Sequence, residues 1–512
     1  MPFSFVANRA NTTRTNTDRV AADLTPPGSF DIPGWADPNL TGAQPVGVRW
    51  AGDTTVTAVQ LEPARPVARR HGPTGPIAVI GEDSVVDLTV LQGFRQSCPL
   101  PAIVDLAVTE HRYCGAGPVA AAYRSTLGAL PIASTRRVVV ILRLPASHPR
   151  PPDGGDAAVG VLRTAATLTR RLAALLAARR LRPTILTAAG IAEYTDHVLG
   201  PRLLSADRSG SGARLGSGAR LVAEVSPSRV SAGPTTWRTF ALRPAATAAT
   251  LRTAAADHAV STTTLLRLSG PAAAPVLHGL FGVTEVPDAG RTLRSAPAAI
   301  DPLEGRQGTA LRDRLPAGGV GLTQLPGLPA HPKALRDWRF PLGDDGVLVG
   351  ADAAGRAVTV PLASVGHRPT AIDGDVQLIG LLIQRCIAGG AAISVHTGAP
   401  QRWARLLDIV DDPGVLALDA VHPGAPTALV DIDLVDESSD DESLRVQLRA
   451  AARTEVPPAA APWARICGSH TDPARIDVQI GTAHFELVGV ASDSERTLVE
   501  VLAPGYPGTR AR

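Results

Sequence analysis

The residues with the most obvious chemical potential are Asp431 and Asp433, a D-x-D pair at a strand end followed by Asp436, Glu437, Asp440, Asp441 and Glu442. Carboxylates grouped in this way can hold magnesium or manganese through hard oxygens, as a metal-dependent, glycosyltransferase-like enzyme requires. The competing reading is a solvated acidic loop running into a helix, whose dipole favours negative charge in its first turn. With no third ligand in view, the lone short motif favours the solvated loop. A second cluster, His111-Arg112-Tyr113-Cys114 before Gly115-Ala116-Gly117, offers a Cys/His pair for nucleophilic catalysis. No orienting carboxylate accompanies it, so a structural loop is the simpler account. His278, His367, His396, His422, His470 and His484 show neither HxxxH nor HExxH spacing. The expectation is therefore a chain with no catalytic residue, no cofactor-binding residue and no metal ligand.

Phosphate chemistry is addressed by residues 372–397, IDGDVQLIGLLIQRCIAGGAAISVHT, which read as a turn, an amphipathic helix and a buried strand. That is the layout of a nucleotide-binding unit without its phosphate loop. Such a loop needs backbone N–H groups bared by glycines and a lysine reaching the β- and γ-phosphates. Lys333 is the only lysine in the chain, and it follows Pro332. A degenerate nucleotide-binding regulator remains as an alternative function.

The elements that would position these residues are legible from patterning. The 512 residues suffice for two to four domains, and 44% hydrophobic with 19% charged residues fits a folded chain. Aromatics make up 4%, so the cores must be built from Val, Leu, Ile and Ala. The net charge of +3, with no basic stripe interleaved with aromatics, argues against a nucleic-acid partner. Cys98, Cys114, Cys386 and Cys467 form no CxxC pair. The start lacks the apolar core of a signal peptide, and no uninterrupted apolar run reaches membrane-spanning length.

Residues 1–45 read as a disordered arm. A hairpin follows at VGVRWAGDTTVTAVQLEP, from Val46, turning at Ala51-Gly52-Asp53. A second strand pair is expected over 76–90 around Gly81-Glu82-Asp83, then a short helix passing into a strand over 99–108 and a buried strand over 136–144. Apolar residues at Val161, Ala165, Leu168, Leu172, Leu175 and Leu176 predict a helix over 157–182, with a strand at 184–187. A strand at 237–242, a helix at 246–258 and a strand at 262–268 suggest that 46–200 and 221–325 are two halves of one layered body. Between them the tandem GSGARLGSGARL, 210–221, marks a flexible Gly/Ser insertion near 207–220. Proline and glycine place a linker over 326–340. A C-terminal α/β domain should then occupy 341–503, with a tail at 504–512. Its expected parts are a hairpin over 346–362, helices at 376–388, 400–410 and 441–453, strands at 391–397, 415–420 and 427–435, and a closing hairpin over 475–490. The fold class is α/β (α+β), with layered mixed sheets and helices packed on them.

This order of segments resembles the cytosolic part of the EccE family, membrane-complex components of the actinobacterial type VII (ESX) secretion system. The resemblance is carried by VGVRWAGDTTVTAVQLEP, RRVVVILRLPA and VLRTAATLTRRLAALLAARRLRPTILTAAGI. LGDDGVLVGADAAGRAVTVPL and LIGLLIQRCIAGGAAISVHTGAPQRW extend it into the second half. It spans roughly 46–403, with Trp50, Gly350, Asp352 and Trp403 among its marks. It implies a non-catalytic scaffold at the cytoplasmic face of the cell membrane, contacting EccB, EccC and EccD type subunits, with the EccC ATPase supplying energy. Members of that family usually carry two transmembrane helices before the VGVRW-like hairpin, whereas here the polar segment 1–45 stands there. Either an upstream stretch completes the protein or the chain docks from the cytosol.

Overall fold

A computed structural model describes residues 20–23, 29–32, 44–51, 53–72, 75–80, 84–113, 117–145, 156–200, 222–233, 235–255, 259–271, 273–285, 299–316, 327–362, 370–396, 400, 403–418, 429–434, 444–450, 462–469, 472 and 474–500. The fold is α+β, built on two large sheets. At the centre of the first, strands Ile103–His111 and Ser261–Ser269 run antiparallel, flanked by Thr135–Pro145 on one side and Val276–Glu285 on the other.

The sequence on either side of this central pair repeats one connection pattern. In the first half, the hairpin Val46–Ala51/Thr54–Glu62 leads to helix Leu88–Gln96, two long strands, the short strand Arg182–Ile185 and helix Ala188–Leu199. In the second, Val230–Ala232/Thr235–Leu242 leads to helix Ala248–Ala255, two long strands, Ile300–Pro302 and helix Gln307–Arg314. In both halves the second hairpin strand pairs with the last long strand and with the short strand. One sheet is thus made of two similar units meeting edge to edge.

Strand alternation divides this sheet into two faces. Val104, Leu106, Val138, Val140, Leu266 and Leu268 bury one face against Leu91, Phe94, Leu168, Leu172, Leu176 and Leu251 from the helices at 88–96, 156–178 and 248–255. The other face carries Ala107, Val139, Ile141 and Leu265 and meets Ile191, Tyr194, Val198 and Leu311 from the helices at 188–199 and 307–314. Burial of such side chains stabilises by roughly 1.5–3 kcal/mol each before the entropy of ordering is subtracted.

The second sheet takes strands from both sides of the 326–340 segment. Ala357–Val360 pairs with Ala68–Gly72, which in turn pairs with Gly75–Ile80 at the sheet edge. Helix Pro118–Leu127 likewise places Val119, Tyr123 and Leu127 in a core with Ile379, Leu382, Ile383, Ile393 and Val478. The two cores are therefore interlocked, and the chain crosses between them rather than finishing one before starting the other.

Several expectations are corrected here. Val20–Asp23 and Ser29–Ile32, within the expected disordered arm, are strands paired to Val222–Val225 and Val46–Ala51. The second strand pair around 81–83 does not form. Residues 75–80 pair backwards with 68–72, and Leu88–Gln96 is a helix whose cap, Asp87, accepts from the Thr89 and Val90 amides at 2.7 and 3.3 Å. No helix opens 99–108, where the strand begins at Ile103. The expected helix at 441–453 is instead a strand, Leu444–Ala450, whose Leu444, Val446 and Leu448 alternate with Arg445, Gln447 and Arg449 at the strand period. The Gly/Ser tandem lies outside the described residues. Among the described residues no helix is long and apolar enough to cross a membrane.

Candidate functional site

The chemistry-bearing side chains of the described residues gather in two buried places. The first is a polar seam beneath the helices at 188–199 and 307–314. Asp105 and Arg267 are cross-strand partners on the two central strands, and both are fully buried. Arg267 Nε donates to Asp105 Oδ1 at 2.8 Å, and Arg143 Nε on the next strand donates to Asp105 Oδ2 at 2.6 Å. Burial would raise the Asp105 carboxyl, but the two guanidinium groups outweigh it and hold it below the usual range. Arg143 also donates to the Leu315 carbonyl at 3.2 Å, tying the seam to the end of the overlying helix. Arg49, from the VGVRW segment, donates to Thr195 Oγ1 at 2.9 Å and to the Pro316 carbonyl at 3.2 Å.

Further along the seam lie two buried imidazoles. His111 and His197 have ring centroids 4.1 Å apart, and His111 Nε2 lies 3.0 Å from the His197 carbonyl. Burial pushes His111 down to about 4 and His197 well below its ordinary value, so both are neutral at pH 7. Arg314, at the end of the second helix, is fully buried, and its three guanidinium nitrogens have no hydrogen-bond partner.

The second place is a clasp between the two sheets. Asp345 is fully buried; its Oδ1 lies 2.9 Å from Arg136 Nη1 and 3.3 Å from Arg69 Nη1. Its Oδ2 accepts from Arg136 Nη2 at 3.0 Å and from the Ala133 amide at 2.9 Å. Arg136 Nε donates to Glu110 at 2.7 Å, and Arg69 donates to the Leu342 carbonyl at 3.0 Å. Burial alone would raise Asp345, but Arg136 and Arg69 overcome it and hold the carboxyl well below the carboxylate range. A companion tie joins three helices. Arg385 Nε and Nη2 donate to Glu495 at 3.0 and 2.8 Å, while Thr126 Oγ1 donates to the same carboxylate at 2.6 Å.

Arg112 Nη2 donates to the Gly128 and Leu130 carbonyls at 2.9 and 2.8 Å, closing the 112–134 excursion as a loop tie; Cys114 lies outside the described residues. Asp431 and Asp433 sit in the strand Leu429–Leu434, opposite Arg449 and Gln447, and their side chains are outside the described set, as are Asp436 to Glu442. Among the described residues, no group of three or more His, Cys, Asp or Glu is placed to hold a metal ion. The helix Val376–Ala388 starts at Asp375, whose Oδ1 accepts from the Leu378 amide at 2.7 Å. The first turn of this helix is therefore capped by its own chain's carboxylate.

Residues in the segments that carry the resemblance have structural duties. Gly47 lies so close to the backbone at Thr187 that a Cβ would stand 2.3 Å from its carbonyl carbon. Gly350 sits at a register shift between the strands Val347–Ala351 and Ala357–Val360. Asp352 closes their hairpin by accepting from the Ala354 and Arg356 amides, each at 3.0 Å. Trp50 and Trp403 are buried. Sequence reasoning missed the seam and the clasp. Isolated arginines inside strongly apolar strands, as at Arg143 in RRVVVILRLP and Arg267 in TTTLLRLS, were the available signal. No family model matches the chain, and no curated protein matches it.

Proposed function

We propose that the protein is a non-catalytic scaffold of the type VII (ESX) secretion machinery, positioned at the cytoplasmic face of the membrane against EccB, EccC and EccD type subunits. The observation that carries this reading is the clasp. Arg69, Glu110, Arg136 and Asp345, which could otherwise serve an active site, are spent on locking two sheets into one body. A part that only positions its neighbours needs a rigid frame and presentable surfaces rather than reactive groups. Surfaces of that kind are present. The edge strand Gly75–Ile80 exposes Ile77 at 51%, and Ala483–Val488 exposes Val488 at 55%.

The test is co-expression of the tagged chain with EccB, EccC and EccD type subunits from one ESX locus, followed by detergent extraction and size-exclusion chromatography. The scaffold reading expects co-elution with the membrane subunits, and loss of secretion when the chain is deleted. Elution of the chain alone, with secretion intact in the deletion strain, rejects it. Turnover of a nucleotide-sugar by the purified chain, abolished by Asp431→Asn with Asp433→Asn, would replace it with the enzyme reading.

A further inference from the structure

Charge is out of balance at one end of the seam. Arg143 and Arg267 share Asp105, and Asp313 supplies a second buried carboxylate beside them. Arg314 has no such partner. Burial lowers its pKa to about 10, with Tyr194 the only group among the described residues that opposes the shift, so it remains a cation at neutral pH. An isolated ion in a protein interior costs several kcal/mol even after relaxation.

The floor beneath Arg314 is built for it. A Cβ on Gly282 would stand 1.2 Å from Nη1, so the guanidinium rests on the bare backbone of the strand Val276–Glu285. In register beside Gly282 are Thr239 on one neighbouring strand and Thr263 on the other. The next row on the same face holds Trp237, Thr284 and Ser261. Directly paired residues lie about 5 Å apart and diagonal ones about 7–8 Å apart, so Thr239 and Thr263 flank the seat of the guanidinium on Gly282, with Trp237 and Ser261 diagonal to it on opposite sides. Thr263 is engaged with Thr109 at 3.3 Å. Thr239 Oγ1, Trp237 Nε1 and Ser261 Oγ are buried without a partner, as are all three nitrogens of Arg314. Buried polar atoms are nearly always satisfied, and an indole N–H and a guanidinium can only donate. What is missing is an acceptor carrying negative charge.

We propose that a small inorganic anion is held beside the Arg314 guanidinium on this strand face, with Trp237 and Thr239, neighbours on one strand, as its further hydrogen-bond donors. It completes the charge balance of the seam beneath the helix Gln307–Arg314. Because Arg314, Trp237 and Thr239 are all buried, the anion is a small one such as chloride or phosphate.

The full-length chain would be purified, dialysed exhaustively into gluconate buffer and denatured, and the released anions quantified by ion chromatography. One equivalent of chloride or phosphate per chain is expected, and its identity separates the two sources. Thermal unfolding in added chloride or phosphate at fixed ionic strength supplies the second readout. Once the anion exceeds its dissociation constant, each tenfold rise should lower the unfolding equilibrium constant about tenfold in the native sequence, and leave it unchanged in Arg314→Met. Where Arg314→Met does not fold, Trp237→Phe and Thr239→Val keep the cation, remove one donor each, and should weaken the dependence. Release of no anion, together with unfolding that ignores anion identity, overturns the proposal in favour of buried water. The same salt response in native and variant chains overturns it as a general ion effect.

Discussion

The clasp and the seam are both buried clusters of arginine and aspartate, yet they are balanced differently. In the clasp, Arg69 and Arg136 face Asp345 and Glu110, with backbone carbonyls from the 342–344 turn accepting further bonds. The seam sets Arg49, Arg143, Arg267 and Arg314 against Asp105, Asp313 and the half-buried Asp196. The clasp spans two sheets and fixes their relation; the seam lies inside one sheet, between two similar halves. A balanced cluster acts as a joint, whereas an excess of donors marks a place where something else must be supplied.

The largest effect should come from removing the acid that the seam can least spare. Asp105→Asn leaves Asp313 as the nearest remaining carboxylate for Arg143 and Arg267 among the described residues, and should cost about 5 kcal/mol, the upper end for breaking a buried ion pair. Urea unfolding followed by circular dichroism measures it. A loss below about 1 kcal/mol would show that the seam is wetter than its burial implies. Asp345→Asn should cost less, about 3 kcal/mol, because Glu110 still faces Arg136. Its distinctive sign should be loss of cooperativity, with faster hydrogen exchange at 68–72 and 357–360, where the two halves of the chain join one sheet. A single unbroken transition would mean that the apolar core alone keeps the sheets together.

These clusters also show where sequence reading stops. The apolar pattern of RRVVVILRLP marks a buried strand, and the 3.6-residue spacing from Val161 to Leu176 marks a helix; both stand in the structure as Thr135–Pro145 and Asp156–Ala178. The paired halves of the first sheet follow from the same local patterns. By contrast, nothing local reveals that residues 68–80 and 118–127 serve the second core, because pairing across nearly 300 residues is a tertiary choice. The helix Pro118–Leu127 carries no acidic first turn and no capping side chain, which hid it. Asp105, Arg143 and Arg267 are invisible as a site because their union depends on strand register, and shifting one strand by a single residue would turn each to the opposite face.

Acid should weaken the seam more than the clasp. His111 titrates near 4 when buried and near 6.5 when unfolded, so the unfolded chain binds the proton first. Its contribution is fully present above pH 6.5 and is lost progressively down to about pH 4, to a limit of about 3 kcal/mol; His197 acts in the same direction. Asp196, raised to about 6 by burial, opposes them, since its folded form takes up a proton more readily than the unfolded chain. Asp345 is held far below the carboxylate range and keeps its charge throughout this window, whereas His71, buried beside it, is lowered by burial and acts in the same direction as His111. Hydrogen exchange in the helix Ala188–Leu199, where two buried imidazoles act, should therefore accelerate more between pH 6.5 and 4 than exchange at 68–72, where His71 acts alone with Asp345 opposing the effect of its burial. His111→Phe should flatten the profile. Equal acceleration in both regions would mean that the seam and the clasp form one cooperative unit.

The smallest effect on the fold should have the largest effect on assembly. Ile77 is half exposed on the edge strand Gly75–Ile80, beyond both clusters, and Ile77→Lys removes little buried area. Surface changes of this type usually stay within about 0.5 kcal/mol, and lysine on an edge strand blocks pairing with another chain. If the clasp exists to hold this edge in place for a neighbouring subunit, Ile77→Lys should leave the urea midpoint unchanged and still reduce co-elution with the EccB, EccC and EccD type subunits. An unchanged complex would move the contact to another face of the frame, whereas a large loss of stability would show that Ile77 is a core residue of the second sheet rather than part of its presented edge.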